Sequence, residues 1–289
     1  MYYKTKGYKV FTAINYFILG IVSLTCILPL INLMAVSFSG KAAASANLVY
    51  FWPVGFNITA YETTFRNVNF FHSLWISIVR TSLGTLLSMA LITTAGYALS
   101  KDFKGRNFYM WFFVFTMLFS GGLIPSYILI TTLKLKDNIG ALILPGAFGV
   151  FNLILIMNFF KTIPKSLEEA ALIDGASFFT VFLRIYLPLS LPGLATISLF
   201  IMVGHWNSWF DGILYMSSTA KYPLASFLQT VVIQSNMQDL SINSETAANL
   251  SQRTIKAAQI FIGALPILLV YPFLQKYFVK GIVMGAVKE

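Results

Sequence analysis

Charge is what this sequence has least of. Asp, Glu, Lys and Arg make up 10% of its 289 residues, while 57% are hydrophobic. An ordinary soluble domain carries roughly 25% charged residues, and the mean hydropathy here is +0.75. These values exclude a globule surrounded by water. Cysteine is equally scarce. Cys26 stands alone inside an apolar run, which excludes a disulfide framework and a Cys-based metal site and leaves it as a small packing residue. The chain has no Gly-x-x-x-x-Gly-Lys-Ser/Thr phosphate loop, no His-Glu-x-x-His pattern, no paired aspartates and no nucleophile–base constellation. Nucleotide hydrolysis and intramembrane catalysis therefore lack residues to run on, and we expect no catalytic and no metal-binding residues. No Asp or Glu falls in the middle of a long apolar run, and no internal repeat is visible. An ion-coupled secondary transporter usually needs both, so that class is a poor alternative.

Long apolar runs are what the sequence does have. Six predominantly apolar windows of spanning length lack any Asp, Glu, Lys or Arg: residues 10–40, 81–100, 107–133, 138–160, 185–210 and 257–275. About 20 predominantly apolar residues cross a hydrocarbon core of about 30 Å. The runs are continuous rather than alternating, which favours helices over a closed barrel. We expect an all-α membrane protein with six transmembrane helices near 11–38, 73–99, 107–132, 138–160, 183–210 and 256–279, in a single domain over residues 1–289. Pro29, Pro125, Pro145, Pro192 and Pro266 fall within these spans. Each removes a backbone donor, either as an ordinary packing kink or as a bend around a cavity.

A formal charge of +10 suggests nucleic acid until the basic residues are located. Lys4, Lys6, Lys9, Lys101, Lys104, Arg106, Lys161, Lys165, Arg184, Lys276, Lys280 and Lys288 lie in the two tails and the two links on one side of a six-span topology. The opposite side is longer and holds fewer. The bias places both termini and the link between spans 4 and 5 in the cytoplasm, and nucleic acid is not an expected partner. The N-terminus imitates a signal peptide, with basic residues, an apolar run and Ala42-Ala43-Ala44-Ser45-Ala46. Its apolar run is far longer than the 7–15 residues of a signal core, so we read it as an uncleaved first span.

The link between spans 4 and 5 is the chain's one compact polar device. It reads Leu167-Glu168-Glu169-Ala170-Ala171-Leu172-Ile173-Asp174-Gly175-Ala176-Ser177. Ser166 followed by Glu169 predicts a capping box, two acidic residues suit a helix N-terminus, and Gly175 is a natural stop. Leu167, Ala170, Ala171 and Asp174 share one face. A helix this short is marginal alone in water. It either rests in a partner's groove or lies on lipid headgroups, and its acidic residues suit an anionic surface poorly.

Glu169-Ala170-Ala171, then Gly175, then Ile185-x-Leu187-Pro188 resembles, without a gap, the motif of the permease subunits of bacterial ATP-binding-cassette importers. Ala98-Leu99-Ser100-Lys101, Phe119 through Pro125, Trp206-Asn207, Tyr222-Pro223-Leu224 and Gln275 through Gly281 are similar to the carbohydrate-uptake branch, specifically its complex-oligosaccharide group. The resemblance covers nearly the whole chain. It implies a type I importer permease fold with a cytoplasmic coupling helix at 165–177, in the bacterial plasma membrane. It further implies a second, different permease as heterodimer partner, two copies of a cytoplasmic ATPase that carry ATP and Mg, and an extracellular or periplasmic solute-binding protein. This chain itself would hold no cofactor. In that family the coupling helix sits in a cleft of the ATPase. Glu168, Glu169, Ala170, Ala171, Asp174 and Gly175 would form it, with Glu169 facing a basic residue, the alanines allowing close packing and Gly175 turning the chain. Residues 281–289 would extend toward the ATPase dimer as well. A non-sugar solute carried by the same architecture is the alternative.

Candidate pathway residues gather at the outer end of span 5, namely His205, Trp206, Asn207, Ser208, Trp209 and Asp211. Aromatic faces with amide or carboxylate neighbours suit a sugar, while an interfacial aromatic belt suits Trp209 equally, and His205 is more often a packing residue. Arg80, in the outer half of span 2, either faces a cavity or partner or snorkels outward, with snorkelling favoured.

Overall fold

The structure is a computed structural model, and it describes residues 5–239 and 246–286. In chain order the helices are α1 (Lys6–Ser37), α2 (Lys41–Ser45), α3 (Thr59–Arg66), α4 (Val68–Ser100), α5 (Arg106–Leu118), α6 (Leu123–Thr132), α7 (Gly140–Ile143), α8 (Val150–Lys161), α9 (Lys165–Ile173), α10 (Phe178–Val181), α11 (Leu187–Leu189), α12 (Leu191–Asn207), α13 (Phe210–Tyr215), α14 (Leu224–Asp239) and α15 (Thr246–Ala286). Among the described residues there is no strand.

Three apolar helices are long enough to cross a bilayer unbroken: Lys6–Ser37, Val68–Ser100 and Gln252–Phe273. The other three expected spans are present but broken. Arg106–Leu118 and Leu123–Thr132 meet at 109°, Gly140–Gly146 and Val150–Lys161 at 51°, and Phe178–Leu189 and Leu191–Asn207 at 81°. Apolar length predicted their existence, and the prolines sit at the breaks. Pro125 lies in the first turn of α6, Pro145 in the 3₁₀ turn Leu144–Gly146, and Pro192 at the start of α12. A proline is tolerated there because the first turn of a helix has no intrahelical N–H bonds to lose. Pro29 and Pro266, by contrast, lie inside continuous helices.

The chain divides into two compact units, residues 1–70 with 230–265 and residues 71–229 with 266–289. In the first, α1 buries only its last residues, Ala35 to Ser37. These pack with Ala44, Val49 and Ala257 in a small apolar cluster. The rest of α1 exposes Phe11, Ile14, Phe17, Leu24 and Ile27, as a lipid-facing segment must. Asn32 donates to the carbonyls of Val49 and Tyr50 at 3.1 and 2.8 Å, which anchors the connection after α2. The second unit holds the larger core. Ile92, Ile156, Phe160, Val181, Phe182, Tyr186 and Ile197 form one buried cluster drawn from α4, α8, α10, the π-helical turn Phe182–Tyr186 and α12. Glycine permits its close approaches, since a Cβ on Gly193 would stand 2.7 Å from the Phe159 ring.

Candidate functional site

The helix α9 begins where the sequence forces it to. Pro164 takes φ −58° and ψ 128° as the N-cap, and its carbonyl accepts from the N–H of Leu167 at 3.2 Å. The helix therefore starts at Lys165, two residues earlier than a Ser166 cap requires. The expected capping box is corrected, because Ser166 lies inside the first turn and Pro164 holds the cap position. The expected end is confirmed in detail. Gly175 adopts φ +83°, the Gly175 N–H bonds the Leu172 carbonyl at 3.1 Å, and the Ala176 N–H bonds the Ala171 carbonyl at 2.9 Å. This is a Schellman ending, which satisfies two carbonyls that the helix itself cannot reach. The single helix expected over 165–177 thus ends at Ile173. After Gly175 turns the chain, Ser177 caps α10 by accepting from the Thr180 N–H at 3.2 Å.

The two adjacent acids of α9 point in different directions. Glu168 turns inward, its carboxylate bonded to the Lys101 ammonium and accepting from the Tyr186 hydroxyl at 2.7 Å. Tyr186 in turn accepts from Lys101 at 2.7 Å. The Lys101 Nζ also lies 4.0 Å from the Tyr186 ring centroid and 4.5 Å from that of Tyr97, within the range of a cation–π attraction. Burial pushes the Glu168 carboxyl up, but the hydrogen bonds from Lys101 and Tyr186 outweigh it and hold the group below its ordinary value. Glu169, Ala170, Ile173, Asp174 and Gly175 are exposed, Ile173 at 85%, whereas Ala171 is half-buried against the core. A second pair, Lys165 with Asp102 at 3.1 Å, joins the same helix to the end of α4 but lies open to solvent. There the Lys165 bond holds the Asp102 carboxyl below its ordinary value.

The candidate pathway residues form a second cluster. Arg80 does not snorkel; it is 2% exposed. Its guanidinium pairs with Asp211 and donates to the Ser208 carbonyl at 3.0 Å. The Asp211 carboxylate also accepts from the Ser208 hydroxyl and the Gly212 N–H, both at 2.9 Å. Arg80 turns inward because Asp211 and a bare helix-end carbonyl replace the water it would otherwise seek. His205 is buried, with its ring seated on Gly84, where a Cβ would come within 2.5 Å. Trp206 lines an apolar cavity of about 180 Å³ with Ile78, Thr81, Leu199, Met202 and Pro266. Asn207 is exposed. The structure thus joins Arg80 to Asp211 and sets His205 and Trp206 into the packing beside them. Among the described residues no His, Cys, Asp and Glu side chains group to hold a metal.

The sequence alone does not single out Lys101 and Tyr186. Both lie within stretches that resemble the importer permeases, one at the end of Ala98–Lys101 and the other between Ile185 and Leu187, and that is the available signal. Residues 287–289, at the end of the expected tail contact, lie outside the described residues.

Comparison with known proteins agrees with this architecture. Residues 89–284 match the family described as "Binding-protein-dependent transport system inner membrane component". The chain is 42% identical to the polygalacturonan/rhamnogalacturonan transport system permease protein YtcP of Bacillus subtilis (strain 168), over 97% of this chain and 99% of that one. It is 43% identical to Protein LplC of the same organism, over 99% and 97%. It superposes with a TM-score of 0.84 on a chain from the crystal structure of a bacterial ABC transporter involved in the import of the acidic polysaccharide alginate, at 33% identity and with 95% and 98% coverage. A second match, at 15% identity and a TM-score of 0.59, is a likeness of fold alone; it comes from a bacterial alginate ABC transporter in complex with an alginate pentasaccharide-bound periplasmic protein. With its broken spans, its short helix between α8 and α10 and its full-length relatives, the chain belongs to the inner-membrane permease components of binding-protein-dependent ATP-binding-cassette importers.

Proposed function

We propose that this chain is one of two different permease halves of an ATP-driven importer that carries an acid-bearing oligosaccharide across the bacterial plasma membrane, with both termini in the cytoplasm. The observation that carries the coupling role is the exposed face of α9. Glu169, Ala170 and Ile173 lie open on a nine-residue helix, with Asp174 exposed at its C-cap, and a helix of that length with a bare isoleucine needs a groove to rest in. An ATPase cleft with a basic residue opposite Glu169 fits it. Two ATPase copies carry ATP and Mg, and their closure pulls α9. The pull reorients the spans, whose proline-marked breaks provide places to bend. A solute-binding protein delivers sugar on the opposite side, a role supported by the pentasaccharide-bound periplasmic protein found in complex with the alginate transporter. The acid-bearing substrate class rests on the polygalacturonan and alginate relatives. Arg80, His205, Trp206, Asn207 and Asp211 remain the candidate wall of the pathway. In that wall Arg80 and Asp211 satisfy each other and Trp206 is buried in the packing, which leaves Asn207 exposed to meet sugar.

Purification tests the assembly. The tagged chain should bring down a second permease and an ATPase whose hydrolysis rises with a sugar-loaded binding protein. Glu169→Lys should release the ATPase, at least tenfold less co-purifying, while the permease stays in the membrane. Retention of the ATPase and normal ATP-driven uptake by that variant would remove α9 from the interface. Calorimetry of the binding protein with galacturonate, alginate and neutral arabinose oligomers tests the substrate class. Tightest binding to the neutral sugar would overturn it.

A further inference from the structure

We infer that Glu168 is a positioning residue that acts inward: with Lys101 and Tyr186 it locks α9 to the end of α4 and to the π-helical turn of the next span, so that all three move as one body. The inference rests on α9 being the ATPase's lever, and it assigns the two neighbouring acids opposite tasks. The three residues lie in separate stretches of the chain. Each bonds the other two, through the Lys101–Glu168 ion pair and the hydroxyl of Tyr186, which accepts from lysine and donates to glutamate. Charge-assisted bonds of this kind are the stronger ones, and they lie mostly out of water, with the side chains of Lys101 and Glu168 only 25% and 12% exposed.

The aromatic floor beneath is equally fixed. Tyr97 packs on Phe182 and Tyr186 with ring centroids 5.1 and 4.9 Å apart, and Phe160 packs on Tyr186 at 5.6 Å. The Tyr97 hydroxyl donates to the carbonyl of Phe178 at 3.2 Å, where the chain leaves α9 for α10. On α9 itself Ala171 and Leu172, followed by Ala176, face that same core. A lever that bent at its own root would dissipate the pull. Coupling over distance needs a packed, hydrogen-bonded element that shifts as a unit, and this cluster supplies one. A merely solvated acid at position 168 would need neither the lysine nor the tyrosine.

Spin labels at Lys104→Cys and Ser166→Cys, in a Cys26→Ser background, report the joint in the purified complex by dipolar broadening. The unaltered joint should give one narrow separation, the same without nucleotide and with ATP plus vanadate. Glu168→Gln should at least double its spread, and Tyr186→Phe should widen it less. Lys101→Glu with Glu168→Lys should narrow it again. Glu168→Gln and Tyr186→Phe are near-isosteric, and they decide the matter should the charge swap fail to fold. A separation that shifts on ATP trapping, or a Glu168→Gln spread that stays narrow, overturns the tether. If Glu168→Gln releases the ATPase while the separation stays narrow, Glu168 is itself the outward contact. If the unmodified chain brings down no ATPase, the lever reading fails, and the label spread still decides the tether.

Discussion

Among the described residues, two ion pairs join a cation on or just beyond α4 to a carboxylate far away in sequence, and they are built differently. Arg80 and Asp211 lie deep, with side-chain exposures of 3% and 23%, and the carboxylate is further bonded by Ser208 and Gly212. Lys101 and Glu168 lie at the end of the helix, 25% and 12% exposed, with two tyrosine rings around the ammonium. A guanidinium is always charged and forks onto a carboxylate in a fixed geometry, whereas an ammonium is a point charge on a flexible stem. The first arrangement is a permanent staple between α4 and the turn after α12. The second holds a joint that must bear load while keeping its partners. The cation, a deeply buried guanidinium in one pair and a ring-bounded ammonium in the other, separates the two.

Breaking the staple should give the largest effect. Removing one member of a buried pair leaves an uncompensated charge and costs roughly 3–5 kcal/mol, so Arg80→Ala and Asp211→Ala should each strongly lower the thermal midpoint of the purified chain, followed by tryptophan fluorescence. Arg80→Leu with Asp211→Leu should recover much of that loss, because no charge is then stranded. A double variant as unstable as the singles would mean that the pair does more than satisfy itself.

The six spans are legible in the sequence because charge-free length is a one-dimensional property, and the Gly175 stop because its turn is local. The breaks are legible only in part. Pro125, Pro145 and Pro192 mark where a helix can restart, but the angles of 109°, 51° and 81° follow from neighbours the sequence does not show. The capping box fails because Pro164, two residues before Ser166, competes for the N-cap and wins. Arg80 reads as a snorkelling residue because its partner Asp211 lies 131 residues away. Glu168 and Glu169 read together as one acidic patch. Successive helical residues point about 100° apart at 3.6 residues per turn, so one acid can face the core and the other the solvent.

The joint should respond to acid in a defined direction. The folded-state value of Glu168 lies below its ordinary 4.5. A depressed carboxyl contributes its stabilisation fully above the unfolded value, and loses it as pH falls through the folded one. The label separation across Lys104 and Ser166 should therefore stay narrow from pH 8 down to about 5 and widen only below the ordinary glutamate range near 4.3. Widening already at pH 6 would place the carboxylate in a different environment from the one Lys101 and Tyr186 create.

The smallest effect should come from the pair that resembles the joint most closely in sequence and least in surroundings. Lys165 and Asp102 also link α9 to the end of α4, at 3.1 Å, but their side chains are 77% and 79% exposed. Water and salt screen such a pair, and holding two long side chains together offsets what attraction remains. Lys165→Ala should leave both the thermal midpoint and the label spread within error of the parent, while Glu168→Gln in the same background doubles the spread. Equal widening by the two variants would show that any cross-link between these segments suffices. Unequal widening assigns the rigidity to the residues that are out of water, bonded to a third partner and packed on rings, and it leaves Lys165 free to serve the charged surface around the exposed face of α9.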